Sequence, residues 1–440
     1  MIFEQLIHND LGCASYLIGC QQVNEAVVID PPLDIRPLEA ALAHHNARLV
    51  GVIETHTHAD HISGHGILAL EFGVPIWVSP IAEVAFESRP MPDGTSIRIG
   101  NIELVAVHTP GHRPEHTALQ VIDHTRSDEP WLVLTGDSMF VGDVARPDLA
   151  IAGQEGAAGL YHSLQERLLT MQDGVEVFPG HVAGSLCGKG MSAKPSSTLG
   201  FERRFNDMLQ PMGEDAFVVA ANTGLSPKPP NLARIVEYNR GPLVPRPIQP
   251  TQLTELPTDA PLLDVRDTMD AMHSLVAGAY HVPADRNGFG TRSGFLLDPD
   301  VPTVLIAEDE AQALRAARRL QAIGHLTQRG WILASDAHGT TVLQPLTIEQ
   351  FLEERDALQI IDVRADDELP APLVGAIQIP LTSLHDASLD ALDPTRRTAV
   401  ICQSSQRAGI GAAVLAHRGF TDVHPVLGAG MGSPLFASVS

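Results

Sequence analysis

The chain has 440 residues, 44% of them hydrophobic and 19% charged, the balance of folded globular protein and not of a disordered one. Its formal net charge of −24 argues against a nucleic-acid-binding surface, and no apolar run is long enough to span a bilayer. Length alone implies about two to four domains. The first residues, MIFEQLIHNDLGC, lack the basic stretch and apolar core of a signal peptide, so a cytoplasmic protein is expected.

Residues 1 to about 240 alternate short apolar runs with Gly, Pro and Asp turns, an α+β pattern. Residues 49–54 predict a buried strand and residues 62–72 a helix, with His56-Thr-His58-Ala-Asp60-His61 on the turn between them. Three further runs each end in a Gly-containing turn and a metal-ligand residue. Residues 102–108 lead to His112, residues 131–134 to Asp137, and residues 175–178 to His181. Strands that end at one sheet edge would gather these side chains in one cleft, and imidazole with carboxylate suits a first-row metal. Surface histidines in polar loops are the bland alternative. A shared context for all of these residues argues against it.

A Pro-rich connector, residues 241–250, predicts the main boundary. After it the chain repeats itself. Asp264-Val-Arg266, Gly278-Ala279, Pro283 and the apolar run 304–307 recur as Asp362-Val-Arg364, Gly375-Ala376, Pro380 and the run 400–402. A helical stretch follows each last run, so two copies of one α/β domain with a largely parallel sheet are expected, divided near residues 340–346.

The four cysteines, Cys13, Cys20, Cys187 and Cys402, fit neither a disulfide framework nor a zinc ribbon. Cys402 is the distinctive one. Cys402-Gln-Ser-Ser-Gln-Arg407 lies between a strand and a helix, where backbone N–H groups and the helix dipole favour a thiolate nucleophile. Arg407 could close the loop or pair with an oxyanion. In the first repeat Ala307 stands at the cysteine's position, followed by Glu308-Asp-Glu310, so no nucleophile is available there. Cys187 lies in a Gly-rich loop near His181, with Lys189 close in sequence to favour thiolate. An inert packed thiol is its alternative reading. Cys13 and Cys20 read as structural.

His56-Thr-His58-Ala-Asp60-His61 followed by PGH, TGD and PGH resembles the metallo-β-lactamase superfamily. The resemblance implies an αββα sandwich with metal at the edge between its sheets. In its dinuclear hydrolases, such as glyoxalase II, all seven residues hold two zinc ions. In its persulfide dioxygenases the equivalents of His56, His112 and Asp137 hold one Fe(II), which leaves His58, Asp60, His61 and His181 as supporting or second-metal residues. The segment Asp143-Val-Ala145-Arg146-Pro-Asp148 resembles persulfide dioxygenases fused to rhodanese domains, with Ala145 where Gly is usual. Residues 180–189, including Cys187, resemble the same fused family.

The second repeat resembles the rhodanese family through Asp362-Val-Arg364, Glu368, Gly375-Ala376, Pro380 and the Cys402 loop, with Ser405 in place of the usual Gly. The whole chain is thus similar to bacterial multidomain persulfide dioxygenase–sulfurtransferases. That similarity implies a dioxygenase domain over residues 1–245, an inactive rhodanese domain over 250–340 and an active one over 341–440. It implies one Fe(II) per chain, a low-molecular-weight persulfide and O2 as substrates, and sulfite and thiosulfate as products. A homo-oligomer, dimer or tetramer, is expected, with no nucleic-acid or membrane partner. The alternatives are a two-zinc thioester hydrolase with an appended sulfurtransferase, and a persulfide carrier or sensor.

Overall fold

The chain divides into two units in the computed structural model, which describes residues 1–182, 187–368, 373–428 and 430–432. The first unit comprises Met1–Lys228, Leu232–Pro247 and Ala322–Gly324, and the second holds Pro229–Asn231, Ile248–Gln321 and His325–Ser440. Residues 183–186 of the segment 180–189 lie outside the described residues.

Two mixed sheets face each other in the first unit. The first runs in the order β1 (Ile2–His8), β2 (Cys13–Cys20), β3 (Glu25–Ile29), β4 (Arg48–Ile53), β5 (Ile76–Val78), β6 (Arg89–Pro90). The second contains β7 (Ser96–Ile99), β8 (Ile102–His108), β9 (Thr117–Asp123), β10 (Leu132–Gly136), β13 (Glu176–Pro179) and β14 (Ser197–Thr198), and β10 pairs with β13 in parallel. A small hairpin, β11 (Met139–Phe140) with β12 (Asp143–Val144), lies between β10 and β13 in sequence.

Side-chain alternation decides which face each residue serves. Ala14, Tyr16 and Ile18 of β2, Leu104 of β8, Leu119 and Val121 of β9, Leu134 of β10 and Phe178 of β13 fill the core between the sheets. Their neighbours Val133 and Val177 point the other way. They pack with Leu160 of α3 (Gly153–His162) and Phe217 of α5 (Glu214–Ala221). On the first sheet's side, α1 (Arg36–His44) buries Leu38 and Leu42, and α2 (His65–Phe72) buries Ile67 and Leu68. The layers are therefore helix, sheet, sheet, helix. The helix expected over residues 62–72 begins only at His65, because the His61 carbonyl accepts Asn239 Nδ2 and the His65 N–H binds Ser63 Oγ, so the i to i+4 bond between them is not made.

The second unit contains the repeat. One four-stranded parallel sheet runs β17 (Tyr280–His281), β15 (Leu262–Asp264), β18 (Thr303–Ala307), β19 (Gln328–Leu333). The other runs β22 (Ala376–Gln378), β21 (Gln359–Asp362), β23 (Thr398–Ile401), β24 (Val423–Pro425) in the same order. The copies agree in detail. Arg266 donates from Nε to Asp264 Oδ1 at 3.0 Å and from Nη2 to Oδ2 at 2.7 Å, and Arg364 treats Asp362 alike at 3.0 and 2.6 Å. Val282 N–H and Ile379 N–H each bind the carbonyl of that aspartate at 3.0 Å. No described helix is long and apolar enough to cross a membrane.

Substitutions at glycine-type positions have different outcomes. Ala145 does not have positive φ, so the Ala there brings no left-handed strain. Ser405 does, with φ 69°, just before helix α12 (Gln406–His417). A side chain in this left-handed region costs about 1 kcal/mol. Ser405→Gly is therefore expected to stabilise the second unit by about 1 kcal/mol, read as a higher thermal midpoint; an unchanged or lower midpoint would mean that the loop is unstrained.

Candidate metal centre and thiol loop

β8, β10 and β13 run in one direction within the second sheet, so His112, Asp137 and His181 follow strand ends at one edge. His56 follows β4 of the opposite sheet. One ligand atom each of His56, His112 and Asp137 lies within 4.8 Å of the others, and all three residues are buried. His112 Nε2 is 3.6 Å from Asp137 Oδ2.

The opposite side of each of these three side chains is held by protein. Thr55 Oγ1 donates to Asp30 Oδ2 at 2.8 Å, so it can only accept from His56 Nδ1–H, 2.9 Å away. That places the His56 lone pair on Nε2, which has no protein partner. His112 Nδ1–H donates to the Arg146 carbonyl at 2.9 Å, again leaving Nε2 open. Asp137 Oδ1 accepts from His181 Nδ1 at 2.8 Å, while Oδ2 is unpartnered. Burial pushes His56 well below the ordinary histidine range, and His112 below it too, which keeps both neutral. Neutral imidazoles with an open nitrogen beside a carboxylate oxygen fit a metal ion, and two histidines with one carboxylate form the facial set typical of non-heme Fe(II).

The remaining motif residues are arranged differently. His181 Nε2 reaches Asp60 Oδ2 at 2.8 Å, so both of its nitrogens are engaged by carboxylates. Burial would lower His181, but Asp137, the Cys187 and Cys13 thiols and Asp60 together hold it well above the usual range. His61 Nδ1 is 3.1 Å from Asp60 Oδ1. His58 Nε2 makes ion-pair contacts of 3.2 Å with Asp30 Oδ1 and Glu54 Oε2, and its Nδ1 is unpartnered. His58, Asp60 and His61 bring ligand atoms within 4.8 Å of one another.

Several groups that build this centre are not evident in the sequence. His116 is one. Its Nε2 accepts the Asp137 N–H at 2.8 Å, and Nδ1 is 2.8 Å from Thr109 Oγ1. Burial, against the pull of Asp137, brings His116 down to about 3, as a neutral acceptor requires. Gly136 permits the contact, since a Cβ there would lie 2.5 Å from His116 Nε2. Cys13 is another, since its thiol meets this cluster. Its Sγ donates to Asp60 Oδ2 at 3.2 Å and lies 3.6 Å from His61 Nδ1. Main-chain bonds Ala14 N to Gly180 O and Val182 N to Gly12 O, both 2.8 Å, set it opposite His181.

Cys187 is buried, with its sulfur within 4.8 Å of ligand atoms of Asp137 and His181. The expected help from Lys189 is not found. Lys189 Nζ instead donates to the carbonyls of Ala220 (3.0 Å) and Thr223. Arg146 connects this loop to His112. Its N–H donates to Cys187 O at 2.9 Å while its carbonyl holds His112. Its guanidinium grips Asp148 at 2.7 and 3.0 Å.

In the second unit Cys402 is buried at the end of β23, and its carbonyl accepts Met431 N–H at 2.9 Å. Both terminal nitrogens of Arg407 bind Glu368, Nη2 to Oε2 at 2.6 Å, so this arginine is clasped by a carboxylate. Arg364 Nη1 reaches Gln403 Oε1 at 3.3 Å. In the first repeat β18 ends at Ala307, and Glu308 lies 3.7 Å from Arg266 Nη1.

Known proteins share the first unit's pattern. A model of the metallo-beta-lactamase superfamily matches residues 8–181. The human mitochondrial persulfide dioxygenase ETHE1 is 31% identical over 228 residues, 51% of this chain and 82% of its own length. The chain belongs to the metallo-beta-lactamase superfamily. An uncharacterized Mycobacterium tuberculosis protein is 30% identical over 46% of this chain and 94% of its own. A crystal structure of a metallo-beta-lactamase from Staphylococcus aureus superposes with a TM-score of 0.68 at 30% identity, covering 76% of this chain and 98% of that one.

In this metallo-beta-lactamase domain Thr55, itself bound to Asp30, fixes the His56 tautomer among the described residues. Thr55→Val is expected to lower metal affinity about 10- to 100-fold with the fold intact. Competition with a coloured chelator checks this, and wild-type affinity would show the Thr55 relay to be dispensable.

Proposed function

We propose that the first unit oxidises a low-molecular-weight persulfide with O2 at one Fe(II) held by His56, His112 and Asp137, and that Cys402 moves sulfane sulfur onto sulfite to give thiosulfate. The observation that carries the dioxygenase half is the pattern of open atoms. His56 Nε2 and Asp137 Oδ2 are buried without a partner, whereas Asp60 and His181 bind each other. The human relative named as a persulfide dioxygenase favours the same chemistry.

Fe(II), held by His56, His112 and Asp137, would supply the activation of dioxygen for attack on a substrate sulfur. The chain's residues do the rest. Arg146 and Thr55 keep each histidine's far nitrogen protonated and its near nitrogen toward the metal. His181, charged between Asp137 and Asp60, orients the ligand carboxylate. The thiol of Cys187, beside Asp137, suits contact with the substrate's sulfur. The net reaction is RSSH + O2 + H2O → RSH + sulfite + two protons.

At the second site Cys402 thiolate attacks the outer sulfur of another persulfide. The persulfide S–S bond breaks, RS⁻ leaves and takes a proton, and Cys402 carries S–S⁻. The sulfite lone pair then attacks that outer sulfur, forms the S–S bond of thiosulfate and returns the thiolate. The start of helix α12, whose dipole favours negative charge, supports an anionic sulfur there. We read residues 250–340 as the inactive rhodanese domain and 341–440 as the active one, and the duplicated strand order is the support for that reading. The alignment with the Staphylococcus aureus structure extends over more of the chain than the first unit contains.

A two-zinc hydrolase is favoured by one observation, the gathering of His58, Asp60 and His61. Anaerobic metal analysis with an oxygen electrode separates the two. We expect one iron per chain and O2 uptake with glutathione persulfide. Two zinc ions, no uptake and brisk hydrolysis of S-lactoylglutathione would refute the dioxygenase. Cys402→Ser is expected to end thiosulfate formation while sulfite accumulates; undiminished thiosulfate would refute the role of Cys402.

A further inference from the structure

The HTHADH turn is held from outside the segment that matches the superfamily model. That match ends at residue 181, yet Asn239, at the end of helix α6 (Leu232–Arg240), reaches the turn. It is buried, and its amide makes three bonds there. Nδ2 donates to the carbonyls of His58 at 2.9 Å and His61 at 2.8 Å, and Oδ1 accepts Ser63 N–H at 2.9 Å. A planar amide with two donors and one acceptor used on a single turn leaves that turn no rotation about its own axis.

Its neighbour Arg240 extends the grip. Arg240 Nη2 lies 3.6 Å from Glu115 Oε1, and that same oxygen accepts Thr57 N–H at 3.3 Å and Arg113 Nε–H at 2.7 Å. The Arg240 carbonyl accepts Ala85 N–H at 2.6 Å. Gly66 lets the segment lie flat, since a Cβ there would come within 2.5 Å of the Val244 carbonyl. Thr57, His58, His61 and Ser63 are thus all restrained by residues 239–240, directly or through Glu115.

We infer that Asn239 is a positioning residue of the metal centre, whose amide sets the direction of the His56–His61 turn and hence the ligand geometry. The inference rests on the metal-centre reading above. Loss of Asn239 would strand two buried carbonyls and one buried N–H, and the turn would have to move to find water for them. His56 lies on that turn, so its Nε2 would leave the positions of His112 Nε2 and Asp137 Oδ2.

Co(II) titration of the metal-free full chain, followed by the ligand-field absorption bands and by chelator competition, tests this. Asn239→Leu is expected to bind Co(II) about 10- to 100-fold more weakly and with shifted bands. Asn239→Asp keeps size and acceptor but loses both donors. It should show the same shift, and it decides the matter if the leucine variant does not fold. Arg246→Ala removes exposed ion pairs to Glu39 and Glu71 from the same segment and should leave affinity and spectrum unchanged. Wild-type affinity and bands in Asn239→Asp would overturn the inference, as would an equal loss in Arg246→Ala. No Co(II) uptake by the unsubstituted chain would overturn the metal centre itself, and the inference with it.

Discussion

The carboxylate of Asp30 is the point on which the metal pocket turns. It accepts both the N–H of Thr55 at 2.7 Å and its hydroxyl at 2.8 Å, and it faces His58 Nε2 at 3.2 Å. Because Thr55 spends its only proton on Asp30, His56 must donate to Thr55 and offer its other nitrogen inward. One buried anion thereby sets the tautomer of one histidine and the direction of the next. Asp30 itself sits at φ 49°, an uncommon conformation that aspartate tolerates better than most residues. The cost of that conformation is local, while the order it imposes reaches the whole turn.

Away from Asp30 the pocket divides by how its polar atoms are satisfied. Around Asp60 and His181 each polar group meets another, with the Cys13 thiol completing the set. Around His56 and Asp137 buried acceptors lack partners in the chain. Desolvated lone pairs without donors are expensive. A cation is the natural remedy where two such atoms and a third nitrogen converge, and it is not needed where carboxylate and imidazolium already neutralise each other. The motif residues other than His58, whose Nδ1 is also unpartnered, thus serve two electrostatic tasks, one that invites a metal and one that stiffens the wall beside it.

How far this was legible in the sequence depends on the kind of residue. His56, His112 and Asp137 were readable because metal chemistry admits few side chains, and strand ends followed by Gly-containing turns are local signals. The repeat was readable because Asp264-Val-Arg266 and Asp362-Val-Arg364 each close on themselves, a contact between near neighbours. Asn239, His116 and Cys13 were not. Each acts through one hydrogen bond or a few to residues distant in sequence, and nothing in an isolated Asn or Cys records which backbone carbonyl or carboxylate it will meet. Lys189 failed in the opposite direction. Closeness in sequence to Cys187 suggested an electrostatic partner, but its long side chain reaches two helix-end carbonyls instead.

On the proposed reaction the two units pose different problems for an anionic sulfur substrate. In the metallo-beta-lactamase domain buried histidines kept neutral leave charge balance to a metal and to His181. At the Cys402 loop the proposal relies instead on the start of helix α12, since Arg407 is already paired with Glu368. Clasping Arg407 with a carboxylate lowers its pull on a bound anion but fixes its position, which suits a sulfur that must be accepted and then released. A free guanidinium would hold sulfite or thiosulfate more tightly and slow their departure. On the proposed reaction the sulfite made in one unit is the acceptor in the other, and their covalent linkage raises the concentration of each product near its consumer. Weak, fixed electrostatics at the second site then matter more than tight binding, since supply comes from the same chain.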